Sequence, residues 1–265
     1  MHAFEYHRPS NVKDALALAS RKDEGRYLAG GQSLVQAMKL RLSSPTDLID
    51  LNAIGDLKAL KAESNAVTIG AMVRHAEVAA SSGVRKAIPA LAALAGIIGD
   101  RQVRHMGTLG GSLANNDPAA DYPAAVLALG ATIVTDKRKI EADKFFKGLY
   151  ETALEPGELI TAVSFPVPKR AAYMKFKNPA SRFAIVGVFV ADFGTGVRVA
   201  VTGAAASVFR VAAMEKALAA KFAPESVANI AVPEKGLNSD LHAKADYRAH
   251  LITVMARRAV EAAMK

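Results

Sequence analysis

Cysteine is absent from all 265 residues, and so is tryptophan. Without a thiol the chain holds no disulfide, no catalytic cysteine and no thiolate-ligated iron–sulfur cluster of its own, so any such chemistry belongs to a partner. Other patterns are missing too. The sequence has no Gly-Lys pair, which excludes a Walker A phosphate loop, no G-x-G-x-x-G fingerprint, no H-E-x-x-H and no G-x-S-x-G. The six histidines are scattered and offer no metal set; His105 is read as structural. The longest apolar run, residues 87–99, contains Pro89 and is too short for a membrane span. Residues 1–9 lack the apolar stretch of a signal peptide, and the expectation is a cytoplasmic protein.

What is present is ample apolar material, 51% of residues, for one large domain or two to three small ones. Lysine and arginine number 34 against 25 acids, a net charge of +9. The basic residues are dispersed, as in Arg21, Lys22, Lys39, Arg41, Lys137 and Arg138, without the blocks or interleaved aromatics of a nucleic-acid platform. They are read as solvated surface.

Along the chain, Asn11 caps a helix through Val12, Ala15, Leu16 and Ala19 that ends near Asp23. Residues 27–29 form a strand, Gly30 and Gly31 break it, and Ser33 with Gln36 has the form of a capping box opening a second helix. Strands are expected at 48–51 and 66–71, and helices at 75–81 and 87–98. Residues 101–121 read as a loop-dominated stretch. A helix at 123–129 and strands at 131–135 and 158–165 follow, then a linker at 166–169. Beyond it, strand-like runs at 172–176, 184–191 and 197–204 suggest a small antiparallel sheet, followed by helices at 211–222 and 246–265. The class is α+β.

Two segments carry chemistry. Paired glycines let a backbone approach a ligand without Cβ interference, and free amides at a turn attract phosphate. The first such segment runs from Ala29 through Gly30, Gly31, Gln32 and Ser33 to Leu34. The second runs from Thr108 through Gly110, Gly111 and Ser112 to Ala114, with hydroxyl and amide donors for another stretch of a long polar ligand. Each alone is an ordinary tight turn. Together they suit a diphosphate.

The stretches AGGQSLVQAMKLR at 29–41, IGAMVRHAEV at 69–78 and RQVRHMGTLGGSLANNDPAADYPAA at 101–125 resemble the FAD-binding medium subunits of the molybdenum hydroxylases, the carbon monoxide dehydrogenase and xanthine dehydrogenase type. The resemblance implies a vanillyl-alcohol-oxidase/PCMH-type flavin fold over residues 1–170, in subdomains of about 1–56 and 57–170. Residues 171–265 would form the family's small C-terminal α+β domain. It implies that Ala29, Gly30, Gly31, Gln32, Ser33 and Leu34 line the FAD diphosphate, that Thr108, Gly110, Gly111, Ser112 and Ala114 make a second wall, and that Asp121 approaches the ribityl or ring end. Ile160 and Phe183 would flank the isoalloxazine, with Lys177 nearby. No catalytic acid, base, nucleophile or metal ligand is assigned to the chain.

By the same resemblance, the partners are a molybdopterin-binding large subunit and a small subunit with two [2Fe–2S] clusters, assembled as a dimer of heterotrimers. The chain would relay electrons from those clusters through FAD to an external acceptor. The alternatives are a stand-alone FAD-dependent oxidoreductase acting on a small substrate, which would need a proton-handling residue over the flavin, and an assembly subunit with an empty site.

Overall fold

The computed structural model describes residues 1–20 and 24–265. The chain opens with β1 (Glu5–His7), α1 (Val12–Ala19), β2 (Gly25–Leu28), α2 (Leu34–Lys39) and β3 (Asp47–Asp50), and all the strand pairs are parallel, in the order β1-β3-β2. Asn11 caps α1 by accepting from Asp14 N at 2.9 Å. The expected end of that helix near Asp23, like Arg21 and Lys22, lies outside the described residues. The central strand is buried along its whole length, because the α-helical crossovers of a parallel sheet cover it.

A second layer holds β4 (Leu60–Ala62), β5 (Ala66–Gly70), α3 (His75–Ala80), α4 (Ser82–Ala87), α5 (Pro89–Gly96), α6 (Arg101–Met106), α7 (Leu109–Asn115), α8 (Tyr122–Ala128), β6 (Thr132–Thr135) and β7 (Lys139–Glu141). After them come α9 (Ala142–Phe145), the ribbon β8 (Phe146–Gly148) and β9 (Glu151–Thr152), and β10 (Ile160–Pro166). The sheet is antiparallel, ordered β4-β5-β10-β6-β7. Val67, Ile69, Val163 and Phe165 pack on Leu109, Leu113 and Tyr122 from the helices.

The helix expected at 87–98 is α5, preceded by a further short helix, α4, which ends at Ala87 because Pro89 cannot continue it but fits the opening turn of α5. One sequence expectation fails in this layer. Residues 101–121 are mostly helix rather than loop. Asp100 caps α6 through Val103 N at 2.9 Å, Thr108 caps α7 through Gly111 N at 3.2 Å, and Asn116 ends α7 in the left-handed conformation at φ 44°. The caps offset the low helix propensity of Gly110 and Gly111.

The third layer is β11 (Arg170–Lys177), β12 (Ala184–Asp192), β13 (Val197–Thr202) and β14 (Phe209–Arg210), an antiparallel meander, with α10 (Ala212–Ala220), α11 (Glu225–Ala228) and α12 (Ala245–Ala263). All nine residues of β12 are buried, and strand alternation explains how. Val186, Val188 and Val190 face Leu251, Ile252, Met255 and Val260 of α12. Phe189 and Ala191 point the other way and join the core of the second layer.

Candidate functional site

The first glycine pair sits between β2 and α2. Gly31 has φ 71°, the left-handed region that favours glycine, and Asn52 Nδ2 holds the loop from behind by donating to Ala29 O at 3.1 Å. Among the described residues, the amides of Gly30, Gly31, Gln32 and Ser33 have no protein acceptor. The expected capping box does not form: Ser33 makes no side-chain cap bond, so its hydroxyl is uncommitted. Since α2 is only six residues long, the loop amides rather than a helix dipole define the anion-binding character here.

The second pair works differently. Leu109 N donates to Val73 O at 3.1 Å, Gly110 N to Ala71 O at 2.8 Å, Gly111 N to Thr108 Oγ1 at 3.2 Å and Ser112 N to Thr108 O at 3.1 Å. These amides are spent, which corrects the expectation of a second amide cradle. The glycines here serve close packing instead. A Cβ on Gly110 would come within 2.5 Å of Ala71 Cβ. The Ser112 hydroxyl has no partner among the described residues and keeps its hydrogen-bonding capacity.

The structure brings the two segments together. A Cβ on Gly30 would overlap the Met106 carbonyl oxygen and lie 2.7 Å from Gly107 Cα, and one on Gly111 would stand 3.4 Å from Ala29 Cβ and 2.9 Å from Thr108 Oγ1. A free-amide loop on one side and a close-packed glycine wall on the other leave backbone and hydroxyls to meet a ligand. The residues present therefore fit an extended diphosphate such as that of FAD. Gln32, Ser33 and Ala114 are exposed, Leu34 is half-buried and Thr108 is buried.

Asp121, Ile160 and Phe183 lie apart from that contact. Asp121 is buried, and both its oxygens are committed: Tyr173 Oη donates at 2.6 Å and Lys175 Nζ at 2.9 Å. Burial pushes the carboxyl up against the pull of Lys175 and the tyrosine hydroxyl. Ile160 opens β10 with its side chain in the second-layer core. Phe183 is 48% exposed, at the end of the β11–β12 turn and beside a small cavity shared with Tyr150 and His242.

Sequence reasoning missed the supports. Behind the glycine wall, His75 N donates to Gly107 O at 2.9 Å, and its buried ring packs 5.3 Å from that of Tyr122. Burial, with Arg104 nearby, depresses the His75 pKa to about 4. Tyr27 Oη donates to Gly157 O at 2.9 Å and ties the first layer to the loop before β10. Asn116, recognisable in the sequence only as a residue tolerant of φ > 0, donates to Gly148 O and Glu151 O.

Comparison with known proteins gives one consistent result. Residues 2–168 match the family described as the FAD binding domain in molybdopterin dehydrogenase. The chain is 36% identical to the carbon monoxide dehydrogenase medium chain of Afipia carboxidovorans, over 98% of this chain and 96% of that one. It is 36% identical to the nicotine 6-hydroxylase medium subunit of Paenarthrobacter nicotinovorans, over 97% and 96%. The solved structure of reconstituted CO dehydrogenase from Oligotropha carboxidovorans superposes with a TM-score of 0.90 at 34% identity, covering 99% of this chain and 98% of its counterpart.

Proposed function

From the premise that the chain belongs to the FAD-binding medium subunits of the molybdenum hydroxylases, we propose that it holds FAD between the iron–sulfur clusters of a partner and an external electron acceptor. The observation that carries this reading is the run of four amides, Gly30 to Ser33, with no acceptor among the described residues, beside the wall of Gly107 to Gly111. The diphosphate would lie along Ala29, Gly30, Gly31, Gln32, Ser33 and Leu34, with the hydroxyls of Ser33 and Ser112 as further donors. Thr108, Gly110, Gly111 and Ala114 would form the opposite wall.

Flavin supplies exchange of either one or two electrons, which suits a junction between one-electron clusters and a two-electron acceptor. This chain's residues bind and orient. In this reading Asp121 steadies the ring end through Tyr173 and Lys175, while Ile160 and Phe183 limit the space around it. The partners are a molybdopterin-binding large subunit and a small subunit with two [2Fe–2S] clusters, in a dimer of heterotrimers. We place the FAD-binding part at residues 1–170, divided near residue 56, with the C-terminal domain at 171–265, and the assembly in the cytoplasm. No helix among the described residues is long and apolar enough to cross a membrane.

The test is flavin content. Purified protein carries one FAD per chain or takes it up, and Gly31→Val or Gly111→Val abolishes that uptake while the C-terminal domain stays folded by proteolysis and circular dichroism. Normal flavin content in both variants would overturn the site. Co-purification with a cysteine-rich small subunit and a large molybdopterin subunit checks the assembly.

A further inference from the structure

The Asp50 carboxylate, at the end of β3, is buried and bonded on both oxygens. Its Oδ1 accepts from Asn52 N at 2.9 Å and from Asn52 Nδ2 at 2.7 Å. Its Oδ2 accepts from Tyr6 Oη of β1, with Arg8 Nε at 3.9 Å. Burial pushes this carboxyl up, and the hydrogen bonds from Tyr6 and Asn52, with the charge of Arg8, outweigh it and hold it below the ordinary range. Capping the turn at Leu51–Ala53 uses only the bond from Asn52 N. The remaining bonds fix a side chain, that of Asn52.

Asn52 Nδ2 carries two protons, and both are committed, one to Asp50 Oδ1 and the other to Ala29 O at 3.1 Å. Neither acceptor has a proton to give, so the amide sits with its nitrogen toward them. The consequence lies in the next peptide. In a planar trans peptide the carbonyl and the following N–H point in opposite directions, so drawing Ala29 O toward Asn52 turns Gly30 N–H away from it. Gly30 is the first of the four amides without an acceptor among the described residues. The next two are aimed from within the loop, since Gly30 O accepts from Gln32 Nε2 at 3.4 Å and Gly31 O from Val35 N at 3.1 Å. The first is aimed from outside it.

We infer that Asp50 and Asn52 are positioning residues of the diphosphate loop: the carboxylate locks the Asn52 amide, and the amide turns Gly30 N–H toward the ligand. The inference rests on reading the chain as a flavin subunit and adds how the first amide of its loop is preset. Charge excludes a direct attraction. A carboxylate near a diphosphate repels it, so Asp50 contributes through the orientation it imposes. Donors already in place need no reordering when the ligand arrives, and affinity rises by what that reordering would have cost.

The test titrates the full-length, FAD-free chain with FAD by flavin fluorescence at pH 8 and at pH 5.5, as wild type, Asn52→Ala and Asn52→Asp. Alanine removes the donor to Ala29 O, and FAD binds about ten-fold more weakly at both pH values. Aspartate keeps the shape and, when ionised, has no proton to donate. Facing the Asp50 carboxylate and the Ala29 carbonyl, it weakens FAD more than alanine does at pH 8 and recovers toward the wild type at pH 5.5, as the two carboxyls take up a shared proton. The other charged or titratable groups bonded to Asp50 or Asn52 among the described residues are Tyr6, Arg8 and Lys58, and none changes charge between these pH values. In phosphorus NMR of the bound cofactor, Asn52→Ala moves a diphosphate resonance, which a general loss of stability does not do.

Circular dichroism checks that each variant is folded at both pH values. Should a replacement of Asn52 not fold, Tyr6→Phe decides: it frees one Asp50 oxygen from an exposed position outside the loop and weakens FAD about two-fold. FAD affinity and phosphorus spectrum unchanged in Asn52→Ala, an aspartate variant without recovery at pH 5.5, or, in the fallback, full affinity in Tyr6→Phe overturns the inference. A wild type that takes up no FAD overturns the functional reading itself and is recognised from its absorbance before any variant is made.

Discussion

At the scale of single residues, the two glycine pairs look alike in sequence and behave differently in space. Gly30 cannot carry a Cβ because the Met106 carbonyl occupies that position, and Gly30→Ala is expected to cost ~1–3 kcal/mol by forcing the two loops apart. Thermal melts of the FAD-free protein check this, with Gly55→Ala, where nothing lies within 4 Å, as the neutral control. The hydroxyls divide in the same way. The Ser33 hydroxyl has no partner among the described residues, so Ser33→Ala leaves the FAD-free protein's stability unchanged and weakens FAD about ten-fold, whereas Thr108→Ala removes the cap of α7 and costs ~1 kcal/mol without any ligand. Fluorescence titration with FAD and urea unfolding separate the two. The sequence revealed where the glycines are but not which amides are spent, because Val73 and Ala71, which accept from Leu109 and Gly110, lie more than 30 residues away in the chain.

At the scale of elements, local signals were the legible ones. The Asn11 cap, the strand expected at 184–191 and the helix expected at 246–265 all stand in the structure within a residue or two of expectation. The α6–α7 stretch was misread because four glycines or prolines outweighed two caps whose partners are only three residues away. The junction between α6 and α7 also carries a pH dependence. His75 is buried neutral against it, its folded pKa near 4 lying below the ordinary 6.5. Between those values the unfolded chain binds the extra proton, so the stabilisation is complete above pH 6.5 and is lost as pH falls toward 4. Urea unfolding of wild type and His75→Leu at pH 7 and pH 5 checks it: the wild type loses more stability on acidification than the variant. A wild type no more acid-sensitive than the variant would contradict the assignment. Glu158 titrates lower. Arg138 holds it at about 2 through two charged hydrogen bonds of 3.0 and 2.9 Å, so its contribution is present above 4.5 and fades only toward pH 2.

At the scale of the whole molecule, the boundary near residue 170 divides the strands but not the core. Phe189, Ala191, Ala200 and Val208 from the third layer are packed with Leu91, Tyr122 and Phe165 of the second. Thr202 Oγ1 and Gly203 N donate to Pro118 O at 3.0 and 2.8 Å, and Thr202 Oγ1 also reaches Ala120 O at 2.6 Å. Residues 1–170 expressed alone are therefore expected to aggregate or to bind apolar dyes, despite containing the whole of the proposed diphosphate site. Monodisperse behaviour of that fragment in size-exclusion chromatography would refute the shared core. No periodicity in the sequence announces such sharing, since β12 reads simply as a strand buried on both faces.

Four consecutive amides without an acceptor among the described residues, facing a loop whose amides from Leu109 to Ser112 are bonded, also form a built-in reporter. Their protons are open to solvent exchange in the FAD-free protein, while those of Leu109 to Ser112 are protected by Val73, Ala71 and Thr108. In deuterated buffer, a peptide covering residues 30–33 is expected to label within seconds and to slow when FAD is added, and one covering residues 109–112 to stay slow throughout. Occupancy of the site is thus readable from deuterium uptake in one short peptide, without any turnover.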